Sequence, residues 1–343
     1  MIKFFFGALS FFIGIVILIS VILTIGIGEI IKDFFQFSPW GIIPLVLLTV
    51  AFHAVSAIKW QYILRAMGIY VPVISILKVW LVGYAVSYIT PVAYIGGEIL
   101  RSYILHERHK VSWPKALSSV GVDKASESVM WIFVMFVGII IFITQSGIFA
   151  ASSMVVSSVV VMAFFAFLTA LVYFFILKKK SLLSILILKP LGLTSTKGGK
   201  SLLEAEVLLF KFFSLKNKKC VSWTFALTAF KFILAWARNV FLIFYLIKVI
   251  SLSGGMVALG FSSVSYSLPI PAALGAQEAL LSLAFAGVGF DSSAGTVFSF
   301  LLRGAELMAV GSGLFFLMHW GLGKFAFHIV QWIKVRVLSG NGS

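Results

Sequence analysis

Long apolar segments alternate along this chain with short polar connections. Six segments hold 20 or more predominantly apolar residues each, at about 4–27, 40–62, 114–146, 154–177, 222–248 and 294–320. That length lets an α-helix cross a bilayer. Runs this long exclude a membrane β-barrel, whose strands alternate over about ten residues. The pattern therefore predicts an all-α polytopic membrane protein with about six full transmembrane helices.

The first segment resembles a signal peptide only superficially. Its apolar run is longer than the roughly 7–15 residues of a signal core, and no Ala-x-Ala cleavage site follows it. We therefore expect an uncleaved first helix. The polar residues after it, Glu29, Lys32 and Asp33, predict a short loop before the second helix.

Two further apolar stretches, 74–105 and 252–289, are interrupted by proline and glycine. Two full crossings need about 40 residues, more than either stretch holds. Pro91 removes a backbone donor and biases Thr90 away from helical dihedrals, and Pro271 interrupts the second stretch in the same way. Broken helices at membrane depth are tolerated only where protein or a water-filled cavity surrounds them. We therefore predict two re-entrant helical hairpins.

The two hairpins share a spacing that indicates an internal repeat. Pro91 and Glu98 are seven residues apart, as are Pro271 and Glu278. Asp123 lies 32 residues after Pro91, and Arg303 lies 32 after Pro271. The chain then divides into repeat A (about 40–146), a basic connector with an amphipathic helix (178–220) and repeat B (about 222–320). Predicted orientations make these halves an inverted repeat, a design that many secondary transporters use, although two independently kinked helices would also explain the prolines.

Composition supports a membrane protein and gives its orientation. The chain is 61% hydrophobic and 11% charged, with a mean hydropathy of +1.11 and a formal net charge of +16. We assign the excess of lysine and arginine to cytoplasmic loops that face anionic lipid headgroups, not to nucleic acid. The loops then place both termini in the cytoplasm and the protein in the cell membrane, plasma or bacterial inner. The single Cys220 excludes an intramolecular disulfide.

Charged side chains inside the predicted helices are the candidate chemistry. Each would cost about 2.5–3.5 kcal/mol at the bilayer centre, so a paired, buried network is expected. The acids (Glu98, Asp123, Glu127, Glu278, Glu306) match five bases (Arg101, Lys124, Lys231, Arg238, Arg303). We predict that Arg101 and Arg303 bind a headgroup phosphate, while the carboxylates hold a cationic group or a coupling proton. Salt bridges that merely join the two repeats are the structural alternative.

Some charged and aromatic residues are predicted to have no such role. Lys124, Lys231 and Arg238 have long side chains that are expected to snorkel to an interface. Trp60 and Trp80, among others, are expected to anchor the helices at the interface. The predicted substrate site is therefore Pro91, Gly96, Gly97, Glu98, Arg101, Asp123, Glu127, Pro271, Gly275, Glu278, Arg303 and Glu306, with no metal and no cofactor.

These segments resemble the transmembrane region of the lysylphosphatidylglycerol synthase family, a flippase-like group. The family's Gly-Gly-acid-x-x-Arg motif matches Gly96-Gly97-Glu98 and Arg101, and the likeness extends to Glu107-Arg108, Asp123, Pro269-x-Pro271, Gly275, Glu278 and Arg303. Two departures are Lys124, where arginine is expected, and Ala272-Ala273, where the family has glycines. Because the soluble aminoacyl-transferase domain is not expected in the roughly 20 residues after the last helix, the resemblance implies a chain that moves a lipid and does not synthesise one.

The expected function is thus transport of a phosphate-bearing lipid, which could be anionic, aminoacylated or a polyprenyl phosphate. A secondary transporter of a small soluble solute is the alternative. An intramembrane lipid-modifying enzyme is less favoured, because the predicted helices hold no Asp-x-Asp pair, no His-Glu-x-x-His and no Ser/His/Asp set. The expected partners are membrane lipids, with a homo-oligomer left open.

Overall fold

A computed structural model describes most of the chain, namely residues 2–90, 96–146, 153–178, 180–182, 184, 189–190, 194, 196–214 and 218–320. This part is helical, and its α-helices are α1 (Ile2–Ile25), α2 (Ile27–Gln36), α3 (Ile42–Ala66), α4 (Val73–Ile89), α5 (Gly96–His109), α6 (Trp113–Gln145), α7 (Ser153–Lys178), α8 (Lys197–Phe212), α9 (Lys218–Ile247), α10 (Leu252–Ser267), α11 (Ala276–Gly287) and α12 (Ser292–His319). The predicted all-α polytopic fold is confirmed.

Five of the described helices are long and apolar enough to cross a membrane, Pro39–Ala66, Trp113–Gln145, Ser153–Lys178, Lys218–Ile247 and Ser292–His319. They coincide with five of the six predicted crossings. The sixth lies in α1, which is followed by α2 at a bend of 84°. The pair would make a sixth span if it crosses as one unit.

The prediction of a loop after the first helix is wrong, because Glu29, Lys32 and Asp33 belong to α2. Gly26, with φ of 94°, separates the two helices. Isoleucine and phenylalanine recur in α2 at a helical spacing of i, i+3, i+4, i+7 and i+8, at positions 27, 30, 31, 34 and 35. The polar residues occupy the other face, so α2 is an amphipathic helix.

Two hairpins of short helices, α4–α5 and α10–α11, lie where the broken stretches were predicted. Thr90 ends α4 in an extended conformation (φ −81°, ψ 137°), as a residue before proline favours. Leu268 and Ile270 are extended before Pro269 and Pro271 for the same reason. The hairpins are confirmed as helical breaks, and their re-entry into a membrane stays a prediction.

The helices of the two predicted repeats pack in matching pairs. If α3, α4, α5 and α6 are exchanged for α9, α10, α11 and α12, the extensively packed pairs are reproduced, and the small contact of α6 with α11 is the exception. For example, α4 packs on α12 and α10 packs on α6, while α3 packs directly on α9. The same exchange relates α4–α5 to α10–α11 and α5–α6 to α11–α12.

Glycines allow the closest approaches between the halves. A Cβ on Gly138 of α6 would lie 2.8 Å from the Cα of Gly260 in α10. A Cβ on Gly313 of α12 would lie 2.2 Å from the carbonyl oxygen of Leu81 in α4. These are equivalent crossings under the exchange of helices, and both bring backbones close together without a side chain between them.

The connector contains the predicted amphipathic helix, α8. Thr196 caps its N-terminus by accepting a hydrogen bond from the Gly199 amide at 3.0 Å. The helix packs on α6, and Ala205 and Phe212 are buried there. Glu206 accepts a hydrogen bond from the Leu182 amide at 2.7 Å, which ties the preceding segment to α8.

Candidate functional site

Four cations and three carboxylates meet in the interior where α3, α5, α6 and α9 come together. Asp123 and Glu127, one turn apart on α6, both form ion pairs with Lys59 of α3, at 2.8 and 2.9 Å. Lys231 of α9 also donates to Glu127. Lys124 pairs with Glu98 of α5 at 2.7 Å. Arg101 completes this group, which we call the first charge cluster.

Arg101 is buried and is held by an ion pair and two aromatic rings, although its Nε has no hydrogen-bond partner among the described residues. Its guanidinium donates to Asp123 at 2.8 Å. The same group lies over the rings of Trp60 and Trp80, with centroids at 4.0 and 4.3 Å. Its stem packs against Gly83 of α4, where an added Cβ would lie 2.4 Å away. Arg101 therefore fixes the α4–α5 hairpin to α3 and α6 through charge and cation–π attraction.

A second charge cluster joins α9, α11 and α12. Arg238 of α9 donates to Glu306 of α12 at 2.9 Å, and the Tyr84 hydroxyl donates to the same carboxylate. Arg303 donates to Glu278 of α11 at 2.6 Å. Arg303 also donates to the Ala272 carbonyl at 2.6 Å, and so holds the second break in place.

The two clusters differ in net charge. The second is balanced, with two arginines and two glutamates. The first holds four cations (Lys59, Arg101, Lys124, Lys231) against three carboxylates (Glu98, Asp123, Glu127), so it carries one surplus positive charge. Asp123 is shared by Lys59 and Arg101, and Glu127 by Lys59, Lys231 and, at 3.9 Å, Lys124, so the surplus charge is distributed over the cluster and does not belong to one side chain. A buried positive charge that is not fully paired attracts an anion.

A cavity between α3, α4 and α6 on one side and α9, α10 and α12 on the other is lined by two of these cations, Lys124 and Lys231, and we call it the central cavity. Water-sized molecules can occupy about 110 Å³ of it. Its charged lining is Lys124, Glu127, Lys231, Arg238 and Glu306. The rest of the wall is mostly apolar and aromatic, including Phe52, Trp80, Trp131, Phe232, Leu259 and Leu302. The cavity thus combines a small polar, positively charged region with an apolar wall.

Several polar atoms of the cavity wall have no partner among the described residues. Asn239 is buried, yet neither its amide nitrogen nor its amide oxygen makes a hydrogen bond there. The Ser262 hydroxyl and the Arg238 Nε are also unpartnered. Buried polar atoms are normally satisfied, so such a group indicates bound water or a polar ligand. All three residues line the same cavity.

The structure brings most of the predicted site residues together. Glu98, Arg101, Asp123 and Glu127 belong to the first charge cluster, whereas Glu278, Arg303 and Glu306 belong to the second. Only Glu127 and Glu306 of this set line the central cavity. Pro91 lies outside the described residues.

The glycines and Pro271 act through the backbone. The Gly97 amide donates to the Ser87 hydroxyl at 3.0 Å, and a Cβ on Gly97 would lie 1.9 Å from the Gly83 carbonyl. A Cβ on Gly96 would lie 2.6 Å from the Thr90 hydroxyl. Pro271 begins a short 3-10 turn, Pro271–Ala273, and Gly275 follows with φ of 74°.

The expectation that Lys231 and Arg238 snorkel is wrong, because both are buried and ion-paired. Lys231 lies 13 residues from the start of α9, or about 20 Å along the axis, which is beyond the reach of a lysine stem. Lys231 and Arg238 are seven residues apart and therefore lie on one face of α9, and this spacing was the sequence feature that could have predicted their shared burial. Trp60 and Trp80 are likewise buried around Arg101 and do not anchor an interface. Lys124, half-exposed at 38%, pairs with Glu98 at the cavity.

Comparison with known proteins agrees with this architecture. The family model described as the lysylphosphatidylglycerol synthase TM region matches residues 8–313. The chain belongs to this family. The match covers both hairpins and both charge clusters, and it confirms the resemblance inferred from the sequence. With the five apolar spans, it shows a multi-pass membrane protein.

Two similar proteins are archaeal membrane proteins described as UPF0104. One, from Methanothermobacter thermautotrophicus, is 32% identical over 134 residues, which is 39% of this chain and 40% of the relative. The other, from Methanocaldococcus jannaschii, is 24% identical over 121 residues, 35% of this chain and 36% of the relative. The chain therefore aligns with about two fifths of the length of these relatives.

Proposed function

We propose that this protein carries a phosphate-bearing lipid, anionic, aminoacylated or linked to a polyprenyl chain, between the leaflets of the cell membrane. The headgroup occupies the central cavity while the acyl chains stay in the bilayer. The observation that carries the proposal is the surplus positive charge of the first charge cluster, which faces a largely apolar cavity through Lys124 and Lys231. An amphiphile with an anionic headgroup matches both parts of that lining.

The phosphate is proposed to lie among Lys124, Lys231 and Arg238. Arg101 keeps a positioning role in this account, because its guanidinium is bound to Asp123 and enclosed by two tryptophans. The unpartnered Asn239 amide and Ser262 hydroxyl supply further donors for phosphate oxygens. No chemical change of the lipid is proposed.

An inverted repeat is part of the proposal. Packed helix pairs that are reproduced when the two halves are exchanged support it, as do the equivalent glycine crossings. In transporters of this design the site lies near the membrane midplane between broken helices, and one half rocks against the other. The lining of the central cavity by helices of both halves supports such a site.

The test is lipid translocation in proteoliposomes, read with a fluorescent anionic phospholipid and an outer-leaflet quencher. Wild type is compared with Lys231→Met and with Lys248→Met as the matched control, since Lys248 is exposed at the end of α9. Wild type and Lys248→Met should translocate the lipid, and Lys231→Met should lose most of the rate. If folded wild type moves no lipid of an anionic, aminoacylated and polyprenyl-phosphate panel, the proposal fails and solute uptake becomes the function to measure.

A further inference from the structure

A second concave surface lies on the membrane-facing side of α3, α4 and α12, and we call it the membrane-facing groove. Its deeper part is lined by Val50, Leu77, Leu81, Ala305 and Met308, among others. Val50 and Met308 form its outer rim, being 61% and 57% exposed. Both lie near the middle of membrane-crossing helices, so this rim faces lipid chains and not water.

A single layer of side chains separates the groove from the central cavity. Thr49 lines the groove, and its hydroxyl accepts from Arg238, which lines the cavity, at 3.2 Å. Ala305 and Glu306 are neighbours in α12, with the first on the groove and the second on the cavity. The barrier therefore includes the ion pair of Arg238 with Glu306 and the Thr49 side chain. The rings of His53, on the groove, and Tyr84, on the cavity, also lie in it, with centroids 4.7 Å apart.

The groove continues toward the end of the molecule where α4 begins and α12 ends. Leu77, Leu81 and Ser312 line both the deeper part and this extension. Lys78 lines the extension, and its ammonium lies over the Phe316 ring at 5.4 Å. Because Lys78 is the sixth residue of α4, it lies about 8 Å from the helix start, at a depth suited to a lipid phosphate.

His53 adds a buried polar atom beside the groove. The indole Nε1 of Trp80 lies 3.3 Å from His53 Nδ1 and can only donate, so Nδ1 is the acceptor and the proton of the neutral ring is on Nε2. That Nε2–H has no acceptor among the described residues, although His53 is 3% exposed. A linkage oxygen of a lipid between phosphate and chain is an acceptor of the required kind.

We propose that this groove is a lateral portal, through which an anionic membrane lipid passes its headgroup from Lys78 into the central cavity while its acyl chain stays in the groove. The inference rests on the proposed function and adds the route and the source of the substrate. A soluble solute would have no use for an entrance that faces the bilayer. Opening requires that Arg238 and Glu306 separate and that the hydrogen bonds of Tyr84 to Glu306 and of Arg238 to Thr49 break, with the lipid phosphate replacing Glu306 as the partner of Arg238.

The first test blocks the rim. Val50→Trp combined with Met308→Trp covers the groove, and Leu47→Trp with Leu307→Trp is the matched control, because these neighbours are 63% and 51% exposed but do not line the groove. The rim variant should lose at least about tenfold in lipid translocation, a barrier change of about 1.4 kcal/mol. The control should keep the wild-type rate. A rim variant that moves lipid as fast as wild type overturns the portal and leaves the proposed function intact.

The second test does not depend on transport. A photo-crosslinking amino acid is placed at position 308 or 307, and the captured lipids are identified in membranes of mixed anionic and zwitterionic phospholipids. Position 308 should capture anionic lipid about fivefold over its bulk share, the enrichment that one lysine near a membrane surface provides, and Lys78→Met should remove it. Position 307 should capture anionic and zwitterionic lipids in proportion to their share of the membrane. Bulk composition at both positions overturns the portal, even if wild type moves no lipid.

Discussion

The charge balance of the first charge cluster predicts that an acid is harder to remove than a cation. Asp123→Asn leaves four cations against two carboxylates, so the surplus rises from one to two positive charges. Arg101 then has no carboxylate partner among the described residues. Breaking a buried pair in this way costs about 3–5 kcal/mol of folding free energy.

Lys59→Met has the opposite effect on the balance. Each carboxylate keeps a cation, because Asp123 retains Arg101, Glu127 retains Lys231 and Glu98 retains Lys124. The cluster becomes neutral, and an apolar side chain of similar length fills the space of a fully buried lysine. Replacing a buried charge without stranding its partners is often nearly neutral, so we expect a cost within about 2 kcal/mol.

The assay is unfolding in mixed micelles with increasing denaturing detergent, followed by circular dichroism. Asp123→Asn should be less stable than Lys59→Met by at least about 1 kcal/mol, a factor of about five in the ratio of folded to unfolded protein. Glu29→Gln is the surface control, since its pair with Lys32 is exposed, and it should change stability by less than about 1 kcal/mol. Equal stability of the two interior variants, or a lower stability of Lys59→Met, would contradict the surplus positive charge assigned to the first charge cluster.

The remaining predictions concern the backbone of the two breaks and use the same unfolding assay. Gly97→Ala should destabilise the protein by about 1–3 kcal/mol or more, because its Cβ would meet the Gly83 carbonyl at 1.9 Å. The control is Gly304→Ala, whose Cβ would meet nothing within 4 Å and which should be neutral or stabilising. A Gly97→Ala variant as stable as wild type would contradict this packing. Ala272→Gly should stabilise by up to about 1 kcal/mol, because it relieves a φ of 54°. Ala284→Gly, inside α11, should instead lower the stability by about 1 kcal/mol. A change of stability of the same sign in both alanine variants would contradict the strain assigned to Ala272.

The sequence was sufficient for the architecture because the bilayer imposes it. Segment length and hydropathy located the spans. Proline located both breaks, since outside the first turn of a helix the residue before a proline is biased away from helical dihedrals. The kink at Gly26 was missed because α2 is short and carries three charged residues, although its apolar spacing was helical. The three charged residues favoured a loop, whereas the helical spacing of the apolar residues was the feature that decided the structure.

The pairing of charges could not be predicted, because it depends on which helices become neighbours. Glu98 and Arg101 lie on the same helix three residues apart, yet Glu98 pairs with Lys124 and Arg101 with Asp123. The predicted second segment ends at about residue 62, three residues after Lys59, whereas α3 continues to Ala66 and Lys59 is fully buried. Segment length could not show that Lys59 pairs with both acids of α6.

The most direct measurement is a cryo-EM structure of the protein in nanodiscs that contain an anionic phospholipid labelled at its phosphate, for example as a phosphorothioate. The proposed function predicts phosphate density in the central cavity, within hydrogen-bond distance of Lys124, Lys231 or Arg238 and with Asn239 turned toward it. Zwitterionic nanodiscs should show weaker density at the same place. A cavity that holds only ordered water in anionic nanodiscs, with lipid phosphates confined to the outer surface, would contradict the proposal.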